Sequence, residues 1–199
     1  MITIILSFFL GIGLSAAAGF RIFLPLLVMS ISAHFGIVPL EESWQWVGSF
    51  GAIATLSIAS VVEIAAYYIP WLDNLLDTVA IPMAGIAGTL LMATAMTDLT
   101  PILKWSLAII AGGGAASTIS AASATTRMAS SVATAGIANP LVSTVETGTA
   151  FFLSIVSVII PFLGFIMVLM VAYFIFKAYK TFKGKNVEEG NKVKLPEIG

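Results

Sequence analysis

The sequence has no cysteine and a single histidine, His34, and only 10% of its 199 residues are charged. Without cysteine there is no disulfide framework, no thiolate metal site and no cysteine nucleophile. One histidine argues against a zinc or haem centre, so we expect neither a metal nor another cofactor. Soluble domains carry about 25% charged residues. The low charge therefore argues against a water-soluble enzyme, a nucleic-acid-binding domain and a disordered chain.

Apolar residues take the place of the missing charges: 59% of the chain is hydrophobic, and the mean hydropathy is +1.05. The long apolar stretches predict an all-α integral membrane bundle in contact with the lipid bilayer. We expect one transmembrane domain, residues 1–176, followed by a lysine-rich tail, residues 177–199. The first helix is expected to be retained, because no Lys or Arg precedes it and the apolar run continues past the small residues 15–18.

The apolar segments cover residues 1–32, 47–69, 70–96, 102–138 and 141–176. The last would form a helix of about 54 Å, too long for one ordinary span. Pro161 and Gly164 in its middle predict a turn and therefore six transmembrane helices. A single kinked, tilted last helix, giving five, is the alternative. Gly19 and Pro25 predict an irregularity in the first segment.

The tail sets the predicted orientation. Six of the nine Lys and Arg residues lie at or beyond Lys177, and such clusters stay on the cytoplasmic side. With six spans the N-terminus is cytoplasmic too. Lys104 then faces outward, which counts mildly against this orientation.

Three features recur in the same order in the two halves of the chain, at unequal intervals. The pairs are Arg21 with Arg127, each after a run of small residues, Gly36 with Gly136, and Ile69-Pro70 with Ile160-Pro161. If each half contains three spans, the halves are inverted repeats, an architecture of transporters whose site lies at the midplane between broken helices. The alternative is that small residues and Ile-Pro pairs recur by chance.

Three segments carry a resemblance to a known family: GIGLSAAAGFRIFLP at residues 11–25, IPWLDNLLDT at residues 69–78, and Asn139-Pro140. Together they resemble a family of small bacterial multi-pass membrane proteins, the domain of unknown function DUF4126. The likeness covers nearly the whole chain before the tail. It implies a protein of the bacterial cytoplasmic (inner) membrane, and it implies no substrate, reaction or site.

Both arginines of the chain, Arg21 and Arg127, fall inside apolar segments. An unpaired charge at the bilayer centre costs about 2.5–3.5 kcal/mol on insertion scales. Each arginine therefore either reaches the interface from a helix end or pairs with an acid inside the bundle. The candidate acids are Glu63, Asp73, Asp77 and Glu146.

A paired arginine is a permanent positive site for a carboxylate or phosphate. We predict that Arg21 and Arg127 bind an anionic substrate group. Glu63 and Glu146 are predicted to pair with them or to exchange protons.

Two further motifs have both a structural and a functional interpretation. Asp73, Asn74 and Asp77 follow Pro70, where acids favour the positive end of the helix dipole; a catalytic or Mg²⁺-binding pair is compatible but unspecific. Gly112, Gly113 and Gly114 lie in a segment of small residues that either packs tightly or lines a polar path with a flexible hinge.

The leading functional hypothesis is a transporter or channel-like permease for a small anionic solute or an anionic lipid head group. The alternative is a non-transporting membrane scaffold or assembly protein, in which small-residue faces support packing or a homo-oligomer. An enzyme is not expected, because the chain lacks a nucleophile–base pair, and no nucleic-acid partner is expected.

Overall fold

The computed structural model describes residues 2–97 and 99–193, except for the side chains of residues 70, 71, 73, 74, 178, 179 and 181–193. The described residues form helices and contain no strand, so the predicted all-α class is confirmed. The α-helices are α1 (Ile2–Ala18), α2 (Phe23–His34), α3 (Phe50–Ala66), α4 (Pro70–Ala95), α5 (Pro101–Leu107), α6 (Gly114–Thr134), α7 (Asn139–Ile159) and α8 (Pro161–Val193). A 3₁₀ helix over Glu42–Gly48 precedes α3, and a π-helical turn over Ala108–Gly113 joins α5 to α6.

Prolines mark where helices begin. The first turn tolerates proline because its backbone nitrogen needs no partner there. The proline residues in the first turns of α4, α5, α7 and α8 are Pro70, Pro101, Pro140 and Pro161.

The predicted interruption of the last apolar segment is confirmed, because the chain leaves the helical conformation at Ile160 (φ −136°, ψ 80°). The irregularity expected in the first segment is a break over residues 19–22, between α1 and α2. Gly19 lies in that break as predicted. Pro25 causes no second one, since it lies within the first turn of α2.

Among the described residues, three helical stretches are long and apolar enough to cross a membrane: Leu75–Ala95, Pro101–Thr134 and Asn139–Ile159. A fourth is added if Glu42–Gly48 and Phe50–Ala66, bent by 56°, form one span. Shorter apolar helices cover Ile2–Ala18, Phe23–His34 and Pro161–Lys177. The chain is thus a multi-pass membrane protein by length and composition, while six spans and inverted repeats stay predictions.

Polarity is distributed as in a membrane protein, with apolar side chains outside and charged ones inside. On α3, Ile58 and Val61 are each 67% exposed, whereas Glu63 is 7% exposed. In water, both the exposed apolar side chains and the buried charge would cost free energy. In a bilayer, lipid solvates the apolar surface, and a charge is better placed inside the bundle than against lipid. The same contrast holds for Arg127 on α6, which is buried, beside Met128, which is exposed.

The second half of α1 lies at the centre of the bundle, where every residue from Leu10 to Ala18 is buried. Glycines allow the close approach of its neighbours. A Cβ at Gly11 would collide with Met92 on α4, and a Cβ at Gly13 would collide with Ser157 on α7. Helix α1 therefore forms the axis around which the long helices pack.

The chain divides into two compact units, residues 1–168 and residues 169–199. The first contains α1 to α7 and the start of α8. In the second, α8 continues as far as Val193, with the Tyr173 and Phe174 rings in edge contact. The predicted boundary between residues 176 and 177, and the cytoplasmic position of the tail, stay predictions.

One ion pair joins the segment before the 3₁₀ helix to α5. Lys104 Nζ lies 2.6 Å from Glu41 Oε2, and the lysine side chain is only 8% exposed. The predicted orientation places both residues on the outer side, and their contact is consistent with a shared side. Glu41 thus neutralises the charge of Lys104, so an outward position of Lys104 counts less against that orientation.

Candidate functional site

The two arginines meet at one aromatic ring. The guanidinium carbons of Arg21 and Arg127 both lie 4.1 Å from the centroid of the Tyr67 ring. Tyr67 directly follows α3 and is only 4% exposed. The electron-rich face of an aromatic ring attracts cations, and more strongly when both are removed from water. The two charges predicted to mark the functional site therefore belong to a single buried cluster.

Glu146 on α7 bridges the two arginines. Its Oε2 atom lies 2.6 Å from Arg127 Nη2 and 3.4 Å from Arg21 Nη1. Its Oε1 atom accepts a hydrogen bond from Ser123, and Arg127 Nε approaches the same oxygen at 3.4 Å. One carboxylate thus neutralises part of both positive charges.

Neutral oxygens surround the rest of the Arg21 guanidinium, which is completely buried. Nε donates to Thr147 Oγ1 at 2.9 Å, and Nη2 donates to Ser143 Oγ at 2.6 Å and to the Ser143 carbonyl at 2.9 Å. Nη1 donates to the Phe20 carbonyl at 3.1 Å. Ser143, Glu146 and Thr147 lie three and four positions apart, so one face of α7 supplies them all.

Arg127 carries a second ion pair, with Asp77 near the start of α4. Its Nη1 donates to Asp77 Oδ1 at 2.9 Å, and its Nη2 donates to Ser123 Oγ at 3.2 Å, one turn earlier on α6. The Asp77 side chain is 19% exposed, against 3% for Arg127. Asp77 is therefore the most accessible acid of the cluster.

Glu63 caps the N-terminus of α2 rather than forming an ion pair with either arginine. Its Oε1 accepts from Ile22 N at 2.7 Å, and its Oε2 accepts from Phe23 N at 3.0 Å. The break after α1 leaves these two N–H groups without intrahelical partners, which is costly inside a bilayer. A carboxylate satisfies both and complements the positive end of the helix.

The interpretation in which the arginines reach the interface from helix ends is wrong for both, because their side chains are buried and bonded. Of the candidate acids, Glu146 and Asp77 pair with arginines, and Glu63 serves α2. Two roles were expected for Asp77, at the dipole of its own helix or as an arginine partner, and its carboxylate pairs with Arg127. The side chains of Asp73 and Asn74 lie outside the described residues.

The three consecutive glycines do not unwind the chain, which stays helical through the π-helical turn and into α6. Two of them serve close packing. A Cβ at Gly112 would lie 2.5 Å from the Gly88 carbonyl oxygen, and one at Gly113 would lie 2.6 Å from Thr89 Oγ1. A Cβ at Gly114 would meet open space. The proposed hinge stays a prediction.

Sequence reasoning missed the neutral members of the cluster. Tyr67 was not among the predicted site residues, yet it is buried between the charges. Helical spacing contained a signal for three of them, because each lies three or four positions from a charge already singled out. The pairs are Tyr67 with Glu63, Ser123 with Arg127, and Ser143 with Glu146, whereas Thr147 directly follows Glu146.

A groove of about 520 Å³ reaches this cluster from outside. Asp77 lines it, together with residues from the start of α4 and the end of α6. Among the described residues no group of three or more His, Asp or Glu side chains is placed to hold a metal ion. The absence of a metal site in the whole chain stays an expectation.

The sequence of the chain matches a known family. The model of the domain of unknown function DUF4126 matches residues 8–181. The chain belongs to this family. The match covers both arginines, the acids of the cluster and the break between α1 and α2, and it confirms the resemblance found in the sequence. No curated protein and no solved structure shows significant similarity to this DUF4126 protein.

Proposed function

We propose that this DUF4126 protein is a membrane permease for a small anionic solute or an anionic lipid head group, with Arg21 and Arg127 as the anion-binding residues. One observation carries the proposal: the Glu146 carboxylate lies against both guanidinium groups. A position that already holds a carboxylate between two arginines has the charge and donor geometry for a substrate carboxylate or phosphate.

Binding requires an exchange, because the arginines are already neutralised. The two guanidinium groups contact the carboxylates of Glu146 and Asp77. An incoming anion adds negative charge, so its entry is favoured when one carboxylate moves away. Glu146 is the best placed to do this, since its withdrawal frees both arginines at once.

The position of the cluster supports this proposal. Arg21 lies in the break between the apolar helices α1 and α2, and broken helices are characteristic of transporter sites. The recurring positions also share backbone conformation: Gly36 (φ 69°) follows the end of α2 and Gly136 (φ 83°) follows the end of α6. Pro70 and Pro161 begin α4 and α8. We propose on this basis six spans in two inverted repeats.

Flux measurements test the proposal. The purified chain is reconstituted in liposomes, and uptake of phosphate, small carboxylates and fluorescent anionic lipids is compared for wild type, Arg21→Gln and Arg127→Gln. At least one class should be transported by the wild type and lost in both variants. Glu42→Gln, which removes an exposed charge, is the matched control. Wild-type rates from correctly folded arginine variants would refute the role of the arginines.

Close packing favours a second function, that of a non-transporting scaffold. Gly88 and Gly112 bring α4 and the π-helical turn into backbone contact, and such interfaces serve assembly as well as movement. Single cysteines placed along residues 111–136 separate the two functions, since the native chain has no cysteine. A face labelled by water-soluble reagents supports the permease, and a completely dry helix supports the scaffold or a homo-oligomer.

The proposal also includes the location of the protein and the absence of catalysis. We place the protein in the bacterial inner membrane with its C-terminus in the cytoplasm, because lysines cluster in the tail. Reporter fusions at residue 199 test this side. We also propose that the protein catalyses no reaction, so that the cluster serves binding alone.

A further inference from the structure

The groove beside Asp77 has a polar and an apolar part. It lies between the start of α4 and the end of α6 and has a volume of about 520 Å³. Asp77, Thr78 and Ser131 provide polar side chains. Ile81, Met128 and Val132 provide much of the apolar wall. The groove therefore suits an amphipathic molecule better than a simple ion.

The two helices that line the groove present polar and apolar residues side by side. Asp77 is the eighth residue of α4, and Ser131 lies three residues before the end of α6. Ile81 and Met128 lie about one helical turn, roughly 5–6 Å, nearer the middle of these helices, whereas Val132 lies next to Ser131. An apolar wall therefore flanks the polar residues and continues toward the middle of both helices.

The groove opens on the surface that faces lipid. Val132 is 86% exposed, Met128 67% and Ile81 37%. Apolar side chains so exposed on membrane-crossing helices contact acyl chains. A molecule enters this groove sideways from the bilayer.

The polar end leads to a buried cation. Asp77 Oδ1 accepts from Arg127 Nη1 at 2.9 Å, while Arg127 itself is 3% exposed. A phosphate at the position of the Asp77 carboxylate meets Arg127 Nη1, and guanidinium N–H groups donate to phosphate as they do to carboxylate. Asp77 therefore occupies the place of an exchangeable anion.

We propose that this groove binds a phospholipid, whose phosphate takes the place of the Asp77 carboxylate on Arg127, near Thr78 and Ser131. One acyl chain lies along Ile81, Met128 and Val132. The proposal rests on the proposed anion-binding role of Arg127 and narrows the substrate class to a lipid phosphate. A soluble anion gains nothing from an apolar wall that faces the bilayer. The lipid gains from both parts of the groove.

Native mass spectrometry of the full-length protein with phosphatidylglycerol tests this inference. Val132→Trp fills the groove without touching an arginine, and Val145→Trp changes an exposed valine of α7 that does not line it. We expect Val132→Trp to weaken lipid binding about tenfold, the factor that corresponds to about two acyl-chain methylene groups displaced from the groove. Val145→Trp should bind like the wild type.

A second groove variant, Met128→Ser, keeps the test decisive if Val132→Trp fails to fold, because it removes apolar contact without adding bulk. Wild-type lipid binding in the folded groove variants overturns the inference. Inorganic phosphate is the parallel probe, and its effect on the unfolding temperature is measured for the wild type and both groove variants. If phosphate stabilises all three proteins equally, and the groove variants bind lipid like the wild type, the ligand is a free anion. The flux of soluble anions is measured separately in the arginine variants. A failure of the lipid-binding inference is therefore distinguishable from a failure of the proposed permease function.

Discussion

Arg21 and Arg127 approach the same aromatic ring, each with its guanidinium carbon 4.1 Å from the Tyr67 centroid. Two like charges this close repel strongly where water is excluded. Their proximity is stable because Glu146 contacts both, Asp77 contacts Arg127, and hydroxyl and carbonyl oxygens complete the donors of Arg21. Each acid and the ring therefore carry a measurable share of the free energy of unfolding.

Removing the bridging charge should be the most destructive change in the cluster. Glu146→Gln leaves two buried guanidinium groups without their shared counter-ion, and removal of one partner of a buried pair costs about 3–5 kcal/mol. We expect a large fall in the Tm in detergent, measured by tryptophan fluorescence. Glu42→Gln removes an exposed carboxylate as the control, and a similar small shift in both variants would contradict the bridging role.

The Tyr67 ring should matter more than its hydroxyl group. Tyr67→Phe keeps the face on which both guanidinium groups lie, whereas Tyr67→Leu removes it. Each desolvated cation–π contact is worth about 1–2 kcal/mol. The Tm should therefore fall much further in Tyr67→Leu than in Tyr67→Phe. Equal losses in the two variants would assign the stabilisation to the hydroxyl or to packing alone.

The effect of substituting Glu63 should depend on how many side-chain acceptor oxygens remain for the start of α2. Glu63→Gln keeps one side-chain oxygen for Ile22 N or Phe23 N, and Glu63→Ala keeps none. Loss of a helix cap costs about 0.5–2 kcal/mol. Hydrogen exchange at Ile22 and Phe23 should be faster than wild type in Glu63→Gln and fastest in Glu63→Ala. Unchanged exchange at both amides would show that other groups satisfy them.

The close crossing of α4 and the π-helical turn should not tolerate a methyl group. A Cβ at Gly88 would lie 2.6 Å from the Gly112 carbonyl oxygen, so Gly88→Ala must push the two backbones apart. Overpacking of this kind costs about 1–3 kcal/mol. Gly114→Ala is the matched control, because it adds a methyl group to open space and gains up to about 1 kcal/mol of helix propensity. Opposite Tm shifts are expected, and equal ones would argue against a tight contact.

The sequence predicted the apolar helices, their interruptions and the burial of the arginines because each of these features depends on a short stretch of the chain. Apolar run length specifies a membrane helix, and Pro161 and Gly19 announce interruptions that the structure places at Ile160 and over residues 19–22. The burial cost of Arg21 and Arg127 likewise follows from their immediate neighbours. Such features depend on few residues and need no knowledge of which helices pack together.

The choice of partners could not be predicted in this way. Periodicity indicates which side chains share a helix face, but it does not show which other helix lies opposite. From the sequence, Glu63 and Glu146 are equally good counter-ions for the arginines. In the structure, Glu63 binds two N–H groups at the start of α2, and α7 places Glu146 between the arginines. The exact span count stays a prediction for the same reason, since crossing depends on how α1, α2 and α8 are arranged.

The partners of Arg21 also impose an order on biosynthesis. This charge is made early, in the segment between α1 and α2, while Ser143, Glu146 and Thr147 belong to α7, near the end of the chain. A ribosome releases the N-terminal helices long before those partners exist. The first helices are therefore made before the Glu146 counter-ion of Arg21 exists, and the contacts around Arg21 form only after α7 has been made.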